Sequence, residues 1–263
     1  MTRHVRFRGP DGVRDATVDE LPVEPLDPDT LELPEPYELL MPLEPPEIWC
    51  AGVTYERSRN ARIEESRIDV YSLVYDADRP EIFLKDANCR RTVGPGRPIG
   101  VRADSNWDVP EPEIALVLGA NGRIAGYTIG NDVSSRAIEG ENPLYLPQAK
   151  LFAGACAIGP AVLAADGEPH EFEIGLRIFA ADGEELFAGE TSTTRMQRSF
   201  EELVDWLRRD NPVPAGSVLL TGTGLVPPDD FTLEAGQRVE IHVPGIGTLV
   251  NPVGRAADLM TED

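Results

Sequence analysis

One stretch of the chain, residues 111–132, constrains the fold most because it has the pattern of a β-hairpin. Asn121 and Gly122 lie between two runs of mostly apolar residues, and both tolerate the positive φ angles of a tight hairpin turn. A turn of only these two residues fixes how the two strands pair. Residue 111 then lies directly across from residue 132, and side chains at directly opposed positions point to the same face.

The side chains that this register brings together are acidic. Glu111 and Asp132 face each other, and Glu113 shares their face because side chains on a strand alternate. The three carboxylates would lie within about 5–8 Å of one another, where like charges repel and a metal ion is the usual remedy. An all-oxygen ligand set suits Mg²⁺, or Mn²⁺ or Ca²⁺, rather than zinc. Solvated glutamates and a turn aspartate on an acidic surface are the alternative interpretation.

The two faces of the hairpin differ in a way that agrees with a metal site. The carboxylate face carries mostly small residues, namely Ala115, Val117, Gly126, Thr128 and Gly130. The opposite face carries large apolar residues, namely Ile114, Leu116, Leu118, Tyr127 and Ile129. We therefore expect the second face to pack in the core and the first to leave room beside the ion.

The charge and composition of the chain indicate which classes of partner and which cellular location to expect. A net charge of −22 over 263 residues argues against binding to nucleic acid or to an anionic membrane. No apolar run approaches the ~18 residues of a membrane span, and the first residues lack a signal-peptide pattern. Three scattered cysteines fit reduced thiols in a cytoplasm. Acidity with almost no lysine is typical of proteins from a high-salt cytoplasm, although a GC-rich genome would also explain the scarcity of lysine.

The chain divides into two parts and is richer in strands than in helices. Residues 1–46 are rich in proline and acidic residues and predict a small N-terminal domain, with a catalytic domain over residues 47–263. We expect a helix over residues 55–76 and a second hairpin at Asp182-Gly183. We also expect an amphipathic helix with Ser199 as its N-cap and Glu202 as its capping-box partner, with an apolar stripe of Phe200, Leu203, Val204 and Leu207. The sequence predicts an α+β fold, mainly β. It contains neither GxGxxG nor GxxxxGK[ST], so nucleotide binding has no support.

Several motifs, in family order, resemble the fumarylacetoacetate hydrolase family. They are Gly52-Val53-Thr54-Tyr55, Glu111-x-Glu113, Gly126 to Arg136 with its Asn131-Asp132, Lys150, Thr221-Gly222-Thr223-Gly224, and Gly245 to Pro252. The resemblance implies a mixed β-roll catalytic domain, a homodimer or larger homo-oligomer, and a small 2-keto acid substrate. In that family the two glutamates and the aspartate bind Mg²⁺, which carries over to Glu111, Glu113 and Asp132.

One departure from the family pattern changes the implied reaction. Hydrolytic members place a histidine three residues after the motif tyrosine and a glutamate about one turn further, but here those positions hold Ser58 and Ala61. Without that pair, no base is available there to activate water. The stretches that begin at Tyr55, Arg79 and Glu139 look more like the sugar-acid dehydratase branch. In such a reaction a divalent ion stabilises an enolate, the C4 hydroxyl leaves, and a 2-keto-3-deoxy-pentonate becomes 2,5-dioxopentanoate.

The remaining site assignments are hypotheses, each with a structural role as its alternative. Lys150 and Lys85 are the only lysines among 24 basic residues, which indicates a task that needs a compact or titratable cation. We expect Lys150 at the metal shell or the keto-acid end of the substrate, and Lys85 as a base or a carboxylate anchor. Arg57 and Ser58 are assigned to the leaving hydroxyl. Substrate contacts are assigned to Tyr55, Arg136 and Thr223, and the proton-abstracting base stays open among Lys85, Glu81 and Glu64.

Three other functions compete with the metal-dependent dehydratase. The first is a hydrolase or decarboxylase of acylpyruvate-type diketo acids, which would need another base. The second is a dehydratase that forms a Schiff base through Lys85 or Lys150. The third is a binding module that Ca²⁺ stabilises and that turns over no keto acid.

Overall fold

The computed structural model describes residues 1–22, 27, 29–56 and 74–260, and strands dominate this part of the chain. The strands are β1 (Arg3–Gly9), β2 (Gly12–Thr17), β3 (Glu38–Leu40), β4 (Glu47–Gly52), β5 (Glu81–Ala87), β6 (Thr92–Val93), β7 (Ile99–Val101), β8 (Asp108–Val109), β9 (Pro112–Leu118), β10 (Ile124–Asp132), β11 (Ser134–Ser135), β12 (Cys156–Ala164), β13 (Glu173–Phe179), β14 (Glu185–Ser192), β15 (Val218–Leu220), β16 (Arg238–Val243) and β17 (Gly247–Arg255). The helices whose bounds lie in the described part are α1 (Arg136–Glu141), α2 (Leu146–Lys150) and α3 (Phe200–Arg208), and short 3-10 turns also occur there. The expected α+β, mainly β, class is confirmed.

Two large sheets and one small ribbon make up the described fold. The first sheet has ten strands in the order β2-β1-β12-β10-β9-β15-β4-β5, with β3 beside β1 and β6 beside β12. The second sheet has five strands in the order β14-β13-β16-β17-β7, and β8 pairs with β11. Parallel and antiparallel pairs both occur, since β15 runs parallel to β4 and antiparallel to β9. The carboxylate hairpin, β9–β10, lies in the middle of the larger sheet.

The two faces of the β9–β10 hairpin pack in different cores, whereas the sequence predicts core packing for the large apolar face alone. One face contributes to the main core, together with the inner face of the five-stranded sheet and the apolar stripe of α3. Its hairpin members are Ile114, Leu116, Leu118, Tyr127 and Ile129. The carboxylate face contributes Ala115 and Val117 to a smaller cluster with Ile48, Cys50 and Leu220. The hairpin is therefore buried on both sides, which removes its carboxylates from water.

The turn of this hairpin differs from the prediction, although the register of its strands does not. Gly119 N–H donates to Arg123 O over 2.9 Å and Gly122 N–H to Gly119 O over 2.8 Å, so the loop holds three residues rather than two. Gly122 has a φ of 70°, which suits the left-handed last position of such a loop. A bulge between Ile124 and Gly126 then adds one residue to β10 and restores the predicted pairing. The two deviations cancel before the strands reach the carboxylates.

Other sequence predictions are confirmed with one adjustment. The second hairpin is β13–β14, and Ser199 caps α3 by accepting a hydrogen bond from Glu202 N–H over 3.1 Å. The buried stripe of α3 is the expected one, with Phe200 and Leu203 among its members. The Glu202 carboxylate, however, pairs with Arg198 instead of completing a capping box.

The N-terminal part of the chain extends the larger sheet. β1, β2 and β3 fall within residues 1–46, and β1 pairs directly with β12. The division into domains at residue 46 stays a prediction. The expected helix over residues 55–76 falls mainly on residues 57–73, which lie outside the described part. In the described part of the chain, no helix is long and apolar enough to cross a membrane.

Candidate metal and substrate site

Three buried carboxylates converge where β9 begins and β10 ends. One oxygen from each of Glu111, Glu113 and Asp132 lies within 4.8 Å of the others, which confirms the predicted cluster. Asp132 N–H donates to Glu111 O over 3.0 Å, so the predicted pairing reaches the acidic residues. The Asn131 side-chain oxygen accepts from Glu111 N–H over 3.1 Å and holds the start of β9 in place. The acidic cluster thus follows from the register of one hairpin.

The two lysines of the chain both contact Asp132. Lys85 on β5 pairs through Nζ with Asp132 Oδ1 and donates to Val133 O over 2.9 Å. Lys150 at the end of α2 places Nζ 2.8 Å from Asp132 Oδ2 and 2.7 Å from Glu111 Oε2. Both ammonium groups are buried. A compact ammonium fits beside each aspartate oxygen, which explains why these two positions keep lysine in an arginine-rich chain.

Arg136 and Ser134 complete the surroundings of Glu111. Arg136 Nη2 lies 2.8 Å from Glu111 Oε1, and Ser134 Oγ donates to Glu111 Oε2 over 3.1 Å. Lys150 also donates to Ser134 Oγ over 2.5 Å. Glu111 and Asp132 are therefore matched by three cations, and the expected substrate contact of Arg136 stays a prediction.

Glu113 has a different environment from the other two carboxylates. Gly222 N–H donates to Glu113 Oε2 over 2.6 Å, and no described lysine or arginine forms an ion pair with it. Burial, followed by repulsion from Asp132 and Glu111, raises the pKa of the Glu113 carboxyl well above its usual range. A hard divalent cation bound by these oxygens would lower the pKa of Glu113 again, because its positive charge favours the ionised carboxylate. The residues present therefore fit such an ion.

The Gly222 amide can approach Glu113 because this residue is a glycine. Its φ is 91°, in the left-handed region, and a Cβ atom there would lie 2.0 Å from Thr54 Oγ1. The Thr54 hydroxyl in turn donates to Thr221 O over 2.7 Å. Only glycine satisfies both the backbone conformation and the space at this position.

A cavity opens onto the carboxylates and contains two further acidic side chains. Glu111, Glu113, Asp132 and Lys150 form part of its lining, and Glu81, Glu139, Phe83 and Thr223 form another part. Glu81 lies against Gly52, where a Cβ atom would be 2.0 Å from Glu81 Oε2. Glu139 is buried on α1. These two carboxylates are candidates for proton transfer beside the metal site.

Glu139 and Ser134 are site residues that the sequence interpretation missed. Glu139 follows Arg136 by three residues, so both lie on one face of α1, and this spacing is the signal that could have found it. Ser134 follows Asp132 by two residues, and the alternation of side chains along an extended segment is the signal that could have found it. Neither residue type is distinctive enough by itself to indicate a site.

Of the other predicted site residues, some lie at or near the cavity and some lie outside the described residues. The Thr223 hydroxyl lines the cavity but donates to Leu225 O over 3.0 Å, so in this structure it closes a local turn. Tyr55 is buried, and its burial, together with the nearby Glu113 charge, raises the pKa of its phenol. Arg57, Ser58 and Glu64 lie outside the described residues. The catalytic and substrate-binding roles of all predicted residues stay predictions.

The family of the chain follows from a match over most of its length. Residues 47–254 match the Fumarylacetoacetate (FAA) hydrolase C-terminal family. The chain belongs to this family. Among curated relatives, the "Probable 2-keto-3-deoxyxylonate dehydratase" of Haloferax volcanii is 55% identical over 216 residues, covering 81% of this chain and 74% of that protein. The 2-dehydro-3-deoxy-D-arabinonate dehydratase of Saccharolobus solfataricus is 48% identical over 219 residues, covering 81% and 73%.

Solved structures agree with this placement. A structure of 2-keto-3-deoxy-D-arabinonate dehydratase complexed with magnesium and 2,5-dioxopentanoate superposes with a TM-score of 0.82 at 38% identity. The superposition covers 96% of this chain and 99% of that chain. The fumarylacetoacetate-hydrolase-like fold expected from the sequence is thereby confirmed.

Proposed function

We propose that this protein is a Mg²⁺-dependent dehydratase that converts a 2-keto-3-deoxy-pentonate to 2,5-dioxopentanoate. The observation that carries the proposal is the buried cluster of Glu111, Glu113 and Asp132, in which Glu113 forms no ion pair with a described lysine or arginine. Relatives at 55% and 48% identity carry dehydratase names, which supports the reaction class. The solved relative that holds magnesium and 2,5-dioxopentanoate supports the ion and the product.

The absence of a suitable histidine supports elimination over hydrolysis. The chain has three histidines, and none of them lines the described cavity or falls among residues 57–73. His4 lies on β1 and His242 on β16, while His170 pairs with Asp166. Hydrolysis would need a base that activates water, and loss of a hydroxyl does not. The proposed reaction therefore suits the residues that surround the cavity.

The residues around the cavity have different proposed roles in the reaction. Glu111, Glu113 and Asp132 would hold the ion, which when bound polarises the C2 ketone of the substrate and makes its C3 protons more acidic. The Lys150 ammonium lies beside two of these carboxylates and favours the anionic keto-acid end. The Lys85 side chain forms an ion pair with Asp132, so we assign it to charge balance.

The proton-transfer roles fall to the two carboxylates in the cavity wall. Glu81 was one of the open candidates for the base, and Glu139 joins it. One of them removes a C3 proton, and the C4 hydroxyl leaves with a proton as water. Transfer of a proton from C5 to C3 then gives an enol with a C4–C5 double bond, and transfer of its O–H proton to C4 gives the C5 aldehyde. The overall change is loss of one water molecule, with no oxidant or activated water required.

The proposal is tested by measuring which of several 2-keto acids the protein converts, and to which product. Purified protein is freed of metal with a chelator and then given Mg²⁺ with 2-keto-3-deoxy-arabinonate, 2-keto-3-deoxy-xylonate or acetopyruvate. We expect aldehyde from at least one pentonate and no pyruvate from acetopyruvate. Pyruvate release without aldehyde would favour the hydrolase instead. Trapping of a substrate adduct by borohydride without any metal dependence would favour a Schiff base on Lys85 or Lys150.

The proposal also retains the sequence-based expectations for partners and location. A homodimer or larger homo-oligomer, a cytoplasmic location and the absence of a nucleic-acid partner are proposed with it. The net charge of −22 supports the last of these, since phosphate backbones bind basic surfaces. The three free cysteines agree with a reducing compartment. Light scattering of the purified protein measures the oligomeric state.

A further inference from the structure

Arg102, in the loop between β7 and β8, is held in one orientation by its neighbour Asp104. Arg102 Nε donates to Asp104 Oδ1 and Arg102 Nη2 to Asp104 Oδ2, each over 2.7 Å. Such a two-point pair fixes the plane of the guanidinium. The pair lowers the pKa of the Asp104 carboxyl, so the interaction persists in its charged form at neutral pH. Neither residue lines the cavity at the carboxylate cluster.

The remaining donor of Arg102 reaches the helix that carries Lys150. Arg102 Nη1 donates to Gln148 O over 3.2 Å. Gln148 lies two residues before Lys150 in the last turn of α2, where carbonyl groups lack partners within the helix. A cation there also interacts favourably with the negative end of the helix. Arg102 thus anchors the end of a five-residue helix that is too short to be rigid alone.

The same guanidinium lies close to an aromatic ring that also contacts the second lysine. Arg102 Cζ is 5.7 Å from the centre of the Phe152 ring, and Lys85 Nζ is 5.9 Å from it. Phe152 is buried two residues after Lys150. Arg102 is therefore connected to the carboxylate cluster in two ways, through the end of α2 and through Phe152. Both routes end at an ammonium group on Asp132.

We propose that Arg102, oriented by Asp104, is a positioning residue that fixes the two buried ammonium groups of the site on Asp132. It touches neither the cavity nor the three carboxylates. Its effect on rate rests on the proposed dehydratase function, whereas its effect on the lysines does not. Displacement of a site group by about 1 Å is enough to slow an enzyme by up to about a hundredfold. We expect Arg102→Ala to lower kcat at least tenfold and to change KM less than twofold.

The two lysines provide a direct readout that needs no substrate. The metal-free protein is treated with an amine-reactive reagent, and the labelling rates of Lys85 and Lys150 are followed by mass spectrometry against the N-terminal amine. We expect Arg102→Ala to accelerate labelling of Lys150 at least tenfold, and Asp104→Asn to do so several-fold. Hydrogen exchange in α3 should stay as in the wild type, because a purely structural loss would accelerate it as well.

Arg177→Ala is the matched control. Arg177 also pairs with a carboxylate, that of Glu185, and also lies over a ring, that of Phe179 at 4.7 Å. It lies on β13, which contributes no residue to the lining of the cavity at the carboxylates. It should leave the labelling rates and kcat unchanged. The proposal is overturned if the Arg102→Ala variant folds and its Lys150 is labelled at the wild-type rate. If Arg102→Ala does not fold, the labelling rate of Lys150 in Asp104→Asn decides the question in the same way. Faster labelling in a protein that dehydrates no pentonate would uphold the positioning role and refute the proposed function.

Discussion

Replacing Glu113 with glutamine should stabilise the metal-free protein and destabilise the Mg²⁺-loaded protein relative to wild type. Glutamine keeps the size of the side chain and can still accept the hydrogen bond from Gly222 N–H. It removes one of three carboxylates whose oxygens lie within 4.8 Å of one another. Two unit charges at that distance repel by roughly 3.5 kcal/mol at an effective dielectric constant of about 20. Attraction from Lys150 offsets part of this, so we expect a net gain of about 1–2 kcal/mol in unfolding free energy.

With Mg²⁺ bound, wild type should be more stable than Glu113→Gln. Binding of an ion to the folded state alone stabilises wild type by about 2.7 kcal/mol when Mg²⁺ is at a hundred times its Kd. Glu113→Gln lacks one of three ligands and should gain little at the same Mg²⁺ concentration. Urea unfolding in chelator and in Mg²⁺ measures both differences. An equal loss of stability under both conditions would refute the reasoning, since it would mean that Glu113 only supports packing.

The pH dependence of this difference has a defined sign. The pKa of Glu113 is raised in the metal-free folded state, mainly by burial, so the folded protein binds this proton more tightly than the unfolded chain. The resulting penalty is absent below the unfolded pKa of about 4.3 and is complete above the raised folded pKa. The advantage of Glu113→Gln in chelator should therefore grow as the pH rises from about 4 toward 8. A difference that shrinks over this range would contradict the assignment.

Three further predictions concern the same site and the surface. Gly222→Ala should lower the Mg²⁺ affinity measured by calorimetry at least tenfold, because the new Cβ atom would collide with Thr54 Oγ1. Gly183→Ala is the control: this glycine has the same φ of 91°, but a Cβ atom there would have no neighbour within 4 Å, so the affinity should not change. Lys150→Met should cost about 3–5 kcal/mol in urea unfolding of the metal-free protein, because it leaves two buried carboxylates without their shared partner. Equal stability of Lys150→Met and wild type would refute that role. If the net charge of −22 reflects a high-salt cytoplasm, unfolding free energy should rise steeply with added salt, and full stability near zero salt would exclude this origin.

The convergence of Glu111, Glu113 and Asp132 could be predicted because it depends on one hairpin. Alternation along strands and a turn signal fix which side chains share a face. The predicted length of the turn was wrong, since the hydrogen bonds of Gly119 with Arg123 and Gly122 enclose three residues, and the side chain of Arg208 on α3 lies against Gly122. The register survived since the bulge in β10 compensated for the extra loop residue. Local pattern was therefore sufficient for the faces and insufficient for the loop.

The surroundings of the carboxylates depend on contacts that no local pattern reveals. Lys85 reaches Val133 across 48 positions of sequence, and Arg102 reaches Gln148 across 46. The rarity of lysine drew attention to Lys85 and Lys150, but nothing comparable distinguishes Glu139 among 46 acidic residues. Residues that act through long-range packing therefore require the fold. This is why the carboxylate cluster could be predicted from the sequence and most of the residues that surround it could not.

The most direct test of the account is a Mg²⁺ titration of aldehyde formation from a 2-keto-3-deoxy-pentonate, compared with Mg²⁺ binding measured by calorimetry on the same preparation. We expect no turnover in chelator, half-maximal turnover near the calorimetric Kd, and loss of both turnover and binding in Glu113→Gln. Turnover that persists in chelator, or that survives in Glu113→Gln after binding is lost, would contradict the claim that this carboxylate cluster holds the ion required for dehydration.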